Sequence, residues 1–268
     1  VESHLVDMIG RAQERVLAVS PFVTSYGAKL LVRECRAGEV LLLTAPSGQA
    51  LLTGGLEVAA LRHVLARAGG AKIRGLRGLH AKVYVADGRQ ALVTSANLTE
   101  PGLRSNYEYG VLISDAAVVS GIERDLNAYW HLGFAVTNEI LDAVEGQVQA
   151  VWESMSRGRG GEARMRAAAR RVDDERIRAR IRDSSVNAIL SETVLGLLRL
   201  RGPLSTQDLH PLVQELHPEI CDGSVDRVID GQRFGKLWKH MVRNAQQWLK
   251  ARGDIVLEAG RWRAATTR

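Results

Sequence analysis

The chain has 268 residues, of which 46% are hydrophobic and 25% charged, with a formal net charge of +6. This composition is ordinary for a globular protein and excludes a disordered or collagen-like chain. No stretch approaches the roughly 20 apolar residues of a membrane span, no apolar leader opens the sequence, and the two cysteines, Cys35 and Cys221, lie far apart. We therefore expect a cytoplasmic protein without a membrane partner.

Strands and helices alternate in the first part of the chain. The predicted strands are 16–22, 39–44, 72–77, 79–87, 91–95 and 109–114; the predicted helices are 1–14, 26–37, 56–68, 116–132 and 138–155, with loops at 46–55 and 99–106. This alternation predicts an α/β sandwich with a mixed sheet over residues 1–155.

Polar side chains are concentrated on the strand predicted over 79–87 and on the next one. His80 and Lys82 are two residues apart, so they project from one face of a strand. Asp87, followed by glycine, predicts a tight turn. A hairpin there would bring Ser95 and Asn97 back beside the histidine and the lysine.

These residue types suit the cleavage of a phosphodiester. Neutral imidazole can attack phosphorus, and imidazolium can protonate the leaving alkoxide, so His80 is the expected nucleophile or acid. Lys82 and Asn97 are expected to bind phosphate oxygens through a compact positive charge and an amide, with Ser95 supporting that grip. Glu108, at the head of the next predicted strand, could fix the imidazole tautomer.

The order and spacing of these residues resemble the signature of the phospholipase D superfamily, H-x-K-x4-D-x6-G-S-x-N. The matching positions are His80, Lys82, Asp87, Thr94, Ser95 and Asn97. Thr94 replaces the usual glycine, which concerns the backbone turn rather than the chemistry. The resemblance covers about residues 1 to 150 and implies a phospholipase D-like mixed-sheet sandwich with Glu108 as the acidic partner of the histidine. It also implies a largely structural Asp87, although a catalytic role for that residue stays open.

The superfamily's mechanism implies two motifs per active site, one histidine becoming a phosphohistidine while the other acts as acid. The remaining histidines are not followed by x-Lys: His4, His63, His131, His210, His217 and His240. The chain therefore carries half a site, and we expect a homodimer through the catalytic domain, with the two His80 residues meeting across a two-fold axis. No acidic or histidine cluster with metal-ligand spacing lies near the motif, so neither a metal nor another cofactor is expected.

Charge separates the two halves of the chain. Residues 1–155 hold 14 Lys/Arg and 16 Asp/Glu, whereas residues 156–268 hold 22 and 14, so the second half is basic. A basic half favours an anionic polymer such as DNA over a merely solvated surface. Residues 156–184 begin with a Gly/Arg-rich run at 156–161 that predicts a linker. They continue as an Arg-rich segment, which could be a connecting helix, a phosphate-contacting arm or a solvated helix.

Residues 185–268 predict a small α+β winged-helix domain. The predicted helices are 186–199, 206–216 (opened by a capping box at Ser205 and Asp208) and 234–251, with a hairpin over 255–263. Trp238, Trp248 and Trp262 are expected in its core. The segment resembles winged-helix modules found beside restriction endonuclease domains, although such modules can also contact proteins. The expected DNA contacts are Lys236, Lys239, His240 and Arg243 on the third helix and Arg261 and Arg263 on the wing.

Together these features predict a metal-independent endonuclease that cleaves DNA through a phosphohistidine. By analogy, such an architecture fits restriction or phage defence, with a helicase or a methyltransferase as candidate partners. Two other functions fit parts of the sequence: a lipid phosphodiesterase of the phospholipase D type, and a non-catalytic DNA-binding subunit of a defence complex. The absence of an amphipathic insertion helix argues against the first, and the intact motif argues against the second.

Overall fold

The computed structural model describes residues 1–156 and 162–265, so the Gly/Arg-rich run predicted as a linker lies outside the described residues except for its first position. The chain divides into two compact units. The first comprises Val1–Leu126 with Gly133–Ala179, and the second comprises Asn127–Leu132 with Arg180–Arg268. The functional domain boundaries given above remain predictions.

The first unit is a mixed α/β fold built on one sheet. Its strands are β1 (Arg15–Val19), β2 (Glu39–Thr44), β3 (Ala71–Gly75), β4 (Val83–Ala86), β5 (Gln90–Thr94), β6 (Gly110–Ile113) and β7 (Phe134–Ala135). The helices within residues 1–183 are α1 (Glu2–Arg11), α2 (Ser25–Glu34), α3 (Gly48–Leu52), α4 (Val58–Leu65), α5 (Ala116–Leu132), α6 (Asn138–Ser156) and α7 (Glu162–Asp183).

The seven strands lie in the order β6-β5-β4-β1-β2-β3-β7. β1, β2 and β3 are parallel, whereas β4, β5, β6 and β7 join antiparallel to their neighbours. The central strands β1 and β2 are buried along almost their whole length, which explains their continuous apolar sequences. The predicted fold class, an α/β protein with a mixed sheet, is therefore confirmed.

Helices cover one face of this sheet and form the main core. Tyr84 of β4 and Leu42 of β2 are fully buried there with Leu5 of α1 and Leu31 of α2. This packing fixes the position of β4, and therefore of the predicted motif residues at its end.

Several predicted bounds in the first unit were wrong: the strand predicted over 16–22 ends at Val19, and the predicted loop 99–106 contains a π-helical turn, Pro101–Ser105. The predicted loop 46–55 contains α3, whose N-cap Ser47 accepts a hydrogen bond from the Ala50 N–H at 3.1 Å. The strand predicted over 79–87 begins only at Val83, so His80 and Lys82 lie in the segment that leads into β4. A strand pattern in sequence does not show where ladder pairing ends, because that depends on the neighbouring strand.

The Arg-rich helix α7 packs on the first unit. A Cβ added to Gly48 would lie 2.0 Å from the carbonyl oxygen of Ala169, so α3 and α7 are in close backbone contact. Asp173 accepts a hydrogen bond from the Gly48 N–H at 3.0 Å, and Val172 is fully buried. A narrow contact stripe, rather than a wide apolar face, therefore holds this helix in place.

The second unit contains three longer helices and two hairpins. Its main elements are α8 (Val186–Arg201), α9 (Thr206–Leu216), β8 (Asp226–Ile229), β9 (Gln232–Lys236), α10 (Leu237–Ala251), β10 (Ile255–Glu258) and β11 (Arg261–Ala264). The capping box at Ser205 is present, and Leu204 pairs with Trp262 beside the terminal hairpin.

Two predictions in the second unit were wrong. The third helix begins at Leu237 rather than at residue 234, because residues 226–236 form a hairpin that turns at Asp230 and Gly231 with positive φ angles. Trp248 is 42% exposed and lies under the guanidinium of Arg252 at 4.4 Å, whereas Trp238 is buried as expected. The buried side of the helix is formed by Trp238, Val242, Ala245, Gln246 and Leu249, and Trp248 lies next to that side rather than on it.

Candidate active site

His80 and Lys82 form the centre of the site. The Thr94 N–H donates to the carbonyl of Lys82 at 3.0 Å, so pairing with β5 continues one residue beyond β4. Lys82 is only 7% exposed, and its Nζ donates to the His80 carbonyl at 2.7 Å and lies 3.3 Å from His80 Nε2. The exposed imidazole therefore sits above a buried ammonium group, where a phosphate can contact both.

Burial controls the electrostatics of Lys82. Desolvation lowers the pKa of Lys82, and the carboxylate of Glu108 raises it only in part. A buried cation that lacks full compensation gains most from an anionic ligand, because the ligand replaces the lost hydration. The Lys82 ammonium group is therefore suited to binding a phosphate, because Glu108 compensates its burial only in part.

Ser95 and Glu108 form a second pair at the same end of the sheet. The Ser95 hydroxyl donates to Glu108 Oε2 and accepts from the Tyr109 N–H at 3.1 Å, and Asn106 Nδ2 donates to Glu108 Oε1 at 3.2 Å. Among the described residues, the hydrogen bonds of Glu108 therefore go to Ser95 and Asn106, while the hydrogen-bonding neighbour of His80 Nε2 is Lys82. The predicted contact from Glu108 to the imidazole is absent from this arrangement.

Thr94 has a role that the sequence did not reveal. Its hydroxyl donates to the Tyr109 carbonyl at 2.9 Å and accepts from the Ala96 N–H at 3.1 Å. A glycine, the residue of the superfamily signature, could make neither bond. The threonine side chain thus fixes the bend that carries the chain from β5 through Ser95 to Asn97.

Asn97 is positioned by close backbone packing. A Cβ added to Gly102 would lie 2.6 Å from the Asn97 carbonyl oxygen and 2.9 Å from its nitrogen, so only glycine fits there. Gly102 belongs to a π-helical turn, Pro101–Ser105, and the Asn97 Oδ1 atom is buried without a hydrogen-bond partner among the described residues. The turn after the motif therefore holds the asparagine in place.

Asp87 lies at the opposite end of β4 from Lys82. Its carboxylate accepts hydrogen bonds from the N–H groups of Gln13, Glu14 and Arg15, each at 2.9 Å. Burial would raise the pKa of Asp87, but these three backbone donors outweigh it, so the pKa lies below its ordinary value. The structure does not bring Asp87 together with the other motif residues; it ties the α1–β1 connection to the β4–β5 hairpin.

The residues predicted to contact DNA from the third helix are not equally free to do so. Lys236 is the last residue of β9 rather than a residue of the helix, so its predicted position was wrong, and it is paired with Asp226 at 2.8 Å. His240 Nε2 lies 2.7 Å from the Phe234 carbonyl. Both residues are thus engaged by the β8–β9 hairpin. Arg243 is exposed.

The remaining predicted contacts are Lys239 on α10 and two arginines on the β10–β11 hairpin. Lys239 lies over the Trp238 ring at 5.6 Å. Arg261 donates to the Pro203 carbonyl at 3.2 Å, and Arg263 forms a bidentate pair with Glu258 at 2.7 and 2.8 Å. If these two arginines bound phosphate, they would therefore have to give up contacts inside the protein.

Within residues 1–156 and 162–265, no group of three or more His, Cys, Asp or Glu residues is placed to hold a metal ion. In the same ranges, none of the helices combines the length and the apolar character needed to cross a bilayer.

Comparison with known proteins gives one family match. Residues 5–130 match the family described as cardiolipin synthase, PLD-like domain. Among solved structures, the chain is similar to Nuc from Salmonella typhimurium, a phospholipase D family member (21% identity, 50% of this chain and 89% of that one, TM-score 0.43). It is also similar to NucT from Helicobacter pylori (14%, 50% and 89%, TM-score 0.40) and to phosphatidylserine synthase from Haemophilus influenzae (18%, 57% and 41%, TM-score 0.44). No curated protein matches the sequence.

Proposed function

We propose that the chain is a phosphodiesterase that cleaves DNA at a site shared by two copies, and the match of residues 5–130 to the PLD-like domain family supports this. One observation carries the proposal: the buried Nζ of Lys82 lies 3.3 Å from Nε2 of the exposed His80. This pairing supports the proposal, because it leaves a buried positive charge beside an exposed imidazole. Asn97 and the Ser95–Glu108 pair follow on the adjacent strand and complete the polar end of the sheet.

The reaction proceeds in two displacements. His80 Nε2 attacks phosphorus, the N–P bond forms, and the P–O bond to the leaving strand breaks. The leaving oxygen takes a proton from the imidazolium of the partner subunit's His80. Water then attacks phosphorus and gives its proton to that same imidazole, the N–P bond breaks, and both histidines return to their starting states.

The charge of the second half favours DNA as the substrate. Residues 156–268 hold 22 Lys/Arg against 14 Asp/Glu, whereas residues 1–155 are close to neutral. We propose that residues 185–268 act as a winged-helix module that docks the polyanion, with Arg243 on the exposed face of α10. Restriction or phage defence, beside a helicase or a methyltransferase, is the proposed context by analogy.

The function is tested by offering the full chain three substrates in parallel: plasmid DNA, bis-p-nitrophenyl phosphate and phosphatidylcholine vesicles, each with and without EDTA. We expect hydrolysis of the first two, no change with EDTA and no release of choline. His80→Ala should lower the rate by about 1,000-fold or more, since it removes the nucleophile. His63→Ala is the matched control, because His63 is exposed on α4 of the same unit.

Trapping gives a second measure. Quenching with alkaline detergent during turnover of ³²P-labelled DNA should leave label on the protein that is stable to base and labile to acid, as a phosphohistidine is. Hydrolysis by His80→Ala at the rate of the unaltered chain, or complete loss of activity in EDTA, would refute the proposed chemistry. Choline release at the DNA-cleavage rate would replace DNA with lipid as the substrate.

A further inference from the structure

An exposed aromatic side chain lies at the end of the sheet that carries the candidate site. Phe22 is 39% exposed, whereas every other residue of the run 16–23 is buried. Single exposed apolar residues are common on folded proteins and carry no meaning by themselves. The surroundings of Phe22 therefore decide whether its ring has a role.

The backbone at Gly55 supports this ring. The Val23 N–H donates to the Gly55 carbonyl at 3.0 Å, so the segment that carries Phe22 runs beside the glycine. A Cβ added to Gly55 would lie 3.2 Å from Cδ1 and 3.4 Å from Cγ of the phenylalanine ring. The ring is therefore in contact with the chain at Gly55 while part of it stays exposed, so its position is set before a ligand arrives.

Hydrogen bonds connect Phe22 with the segment that carries Asn97. The Ser20 hydroxyl donates to the Phe22 carbonyl at 2.7 Å and accepts from the Leu98 N–H at 2.9 Å. Leu98 directly follows Asn97 in the chain. One buried hydroxyl thus holds the backbone of the exposed ring beside the backbone of the motif asparagine.

The β1–β4 ladder brings Phe22 to the same end of the sheet as His80. Val19 and Val83 are the last pair of that antiparallel ladder. Phe22 lies three residues after Val19, and His80 lies three residues before Val83, so both segments leave the ladder at the same end. A phosphate at His80 and Lys82 would therefore have the exposed ring on the β1 side.

We propose that the Phe22 ring stacks on a nucleobase next to the scissile phosphate, and that the site therefore takes single-stranded DNA. This inference rests on the proposed function and specifies its substrate class. A base in a duplex is covered on both faces by its neighbours, so a protein ring can stack only on a base that has left the helical stack. Such stacking tolerates any sequence, because every base has a π-face.

A lipid chain is the competing occupant of an exposed apolar ring. An acyl chain buries an extended apolar surface, whereas the exposed residues that precede Gly55 are Thr53 and Gly54. These residues add almost no apolar surface to the ring. One flat ring is enough for a base, so the surroundings of Phe22 favour a nucleobase.

Cleavage of three oligonucleotides tests the strand preference. They are oligothymidylate, the same strand annealed to oligodeoxyadenylate, and a strand of equal length made of abasic tetrahydrofuran sites. The unaltered chain should cleave the single strand at least about 10-fold faster than either of the other two, since one stacked base contributes an effect of this size. Negatively supercoiled plasmid DNA, whose duplex opens locally, should be cut faster than relaxed plasmid.

Replacement of the ring identifies its contribution. Phe22→Leu keeps an apolar side chain but loses the aromatic face, so kcat/KM should fall by about 10-fold on oligothymidylate and stay within about twofold on the abasic strand. Phe22→Trp, which keeps a ring, should retain the strand preference. The matched control is Trp152→Leu, which removes a 52% exposed ring from α6 of the same unit and should change neither rate.

A binding measurement gives a readout that needs no turnover. The fluorescence of 2-aminopurine is quenched when this base stacks on an aromatic ring. A single strand that carries 2-aminopurine should therefore be quenched at saturating His80→Ala protein, which lacks the nucleophile. His80→Ala/Phe22→Leu should quench it less at the same saturation.

The outcomes separate this inference from the proposed function. Equal cleavage of single strand and duplex, or an equal loss by Phe22→Leu on strands with and without bases, refutes the stacking while the nuclease proposal stands. Phosphatidylcholine hydrolysis that depends on Phe22 assigns the ring to a lipid and also refutes it. If no DNA is cleaved, the function fails, and quenching that depends on Phe22 still supports the stacking, whereas quenching that does not depend on Phe22 refutes both.

Discussion

Replacement of Asp87 separates structural support from chemistry. Its carboxylate accepts three backbone hydrogen bonds, and Asp87 itself has φ of 51°. Each charge-assisted bond contributes about 1 kcal/mol here, since two of the three are reached by water. An alanine in the left-handed region costs about 1 kcal/mol more. We therefore expect Asp87→Ala to lower the free energy of unfolding by about 4 kcal/mol.

The assay combines thermal unfolding with turnover. A loss of this size corresponds to a fall in Tm of about 10 °C for a chain of this length. Asp87→Asn should lose about half as much, because asparagine tolerates positive φ and keeps one acceptor oxygen. At 20 °C both variants remain folded, and their kcat on bis-p-nitrophenyl phosphate should stay within about threefold of the unaltered chain. A folded Asp87→Asn protein that has lost about 100-fold in kcat would refute the structural role.

The pH dependence has a definite sign. Because the pKa of Asp87 in the folded chain lies below its ordinary value of 3.8, its contribution is fully present above pH 3.8. It is lost as pH falls through the lowered pKa. The Tm difference between Asp87→Asn and the unaltered chain should therefore be constant from pH 5 to 8 and shrink in more acidic buffer. A difference that instead widens below pH 3.8 would contradict the hydrogen-bond assignment.

Two further predictions concern the backbone of the site and the second unit. Gly102→Ala should push the Asn97 backbone by roughly 0.6 Å and lower kcat by about 10- to 100-fold, whereas Gly146→Ala, with open space around it on α6, should gain about 0.5–1 kcal/mol of stability at unchanged kcat. Equal kcat values for the two glycine variants would show that Asn97 needs no such placement. Arg243→Ala should weaken DNA binding and reduce the slope of log Kd against log salt by about one, whereas Arg263→Ala, whose guanidinium is held by Glu258, should change it less. Fluorescence anisotropy at several salt concentrations distinguishes the two; an unchanged slope for Arg243→Ala would remove α10 from the DNA interface.

Local sequence was sufficient to predict the role of a residue where that role depends on its neighbours along the chain. The alternating strands and helices gave the mixed α/β class, and the capping box at Ser205 was visible because its two members are three residues apart. The approach of His80 to Lys82 was likewise expected, since two residues of extended chain bring side chains together. Spacing along the chain is a good guide when the contact is equally local.

Only the tertiary structure showed the roles of residues whose partners are distant in sequence. In the sequence Thr94 is only a departure from the superfamily signature, whereas in the structure its hydroxyl donates to the Tyr109 carbonyl and accepts from the Ala96 N–H. Glu108 accepts a hydrogen bond from Ser95 because the β5–β6 pairing brings that hydroxyl beside it, and the β8–β9 hairpin extends through residues 234–236, where a helix was predicted. The order of residue types along the chain determines which chemistry is available. Only the packing determines which hydroxyl binds a given carboxylate and which lysine is desolvated, because burial and hydrogen bonding depend on neighbours in space.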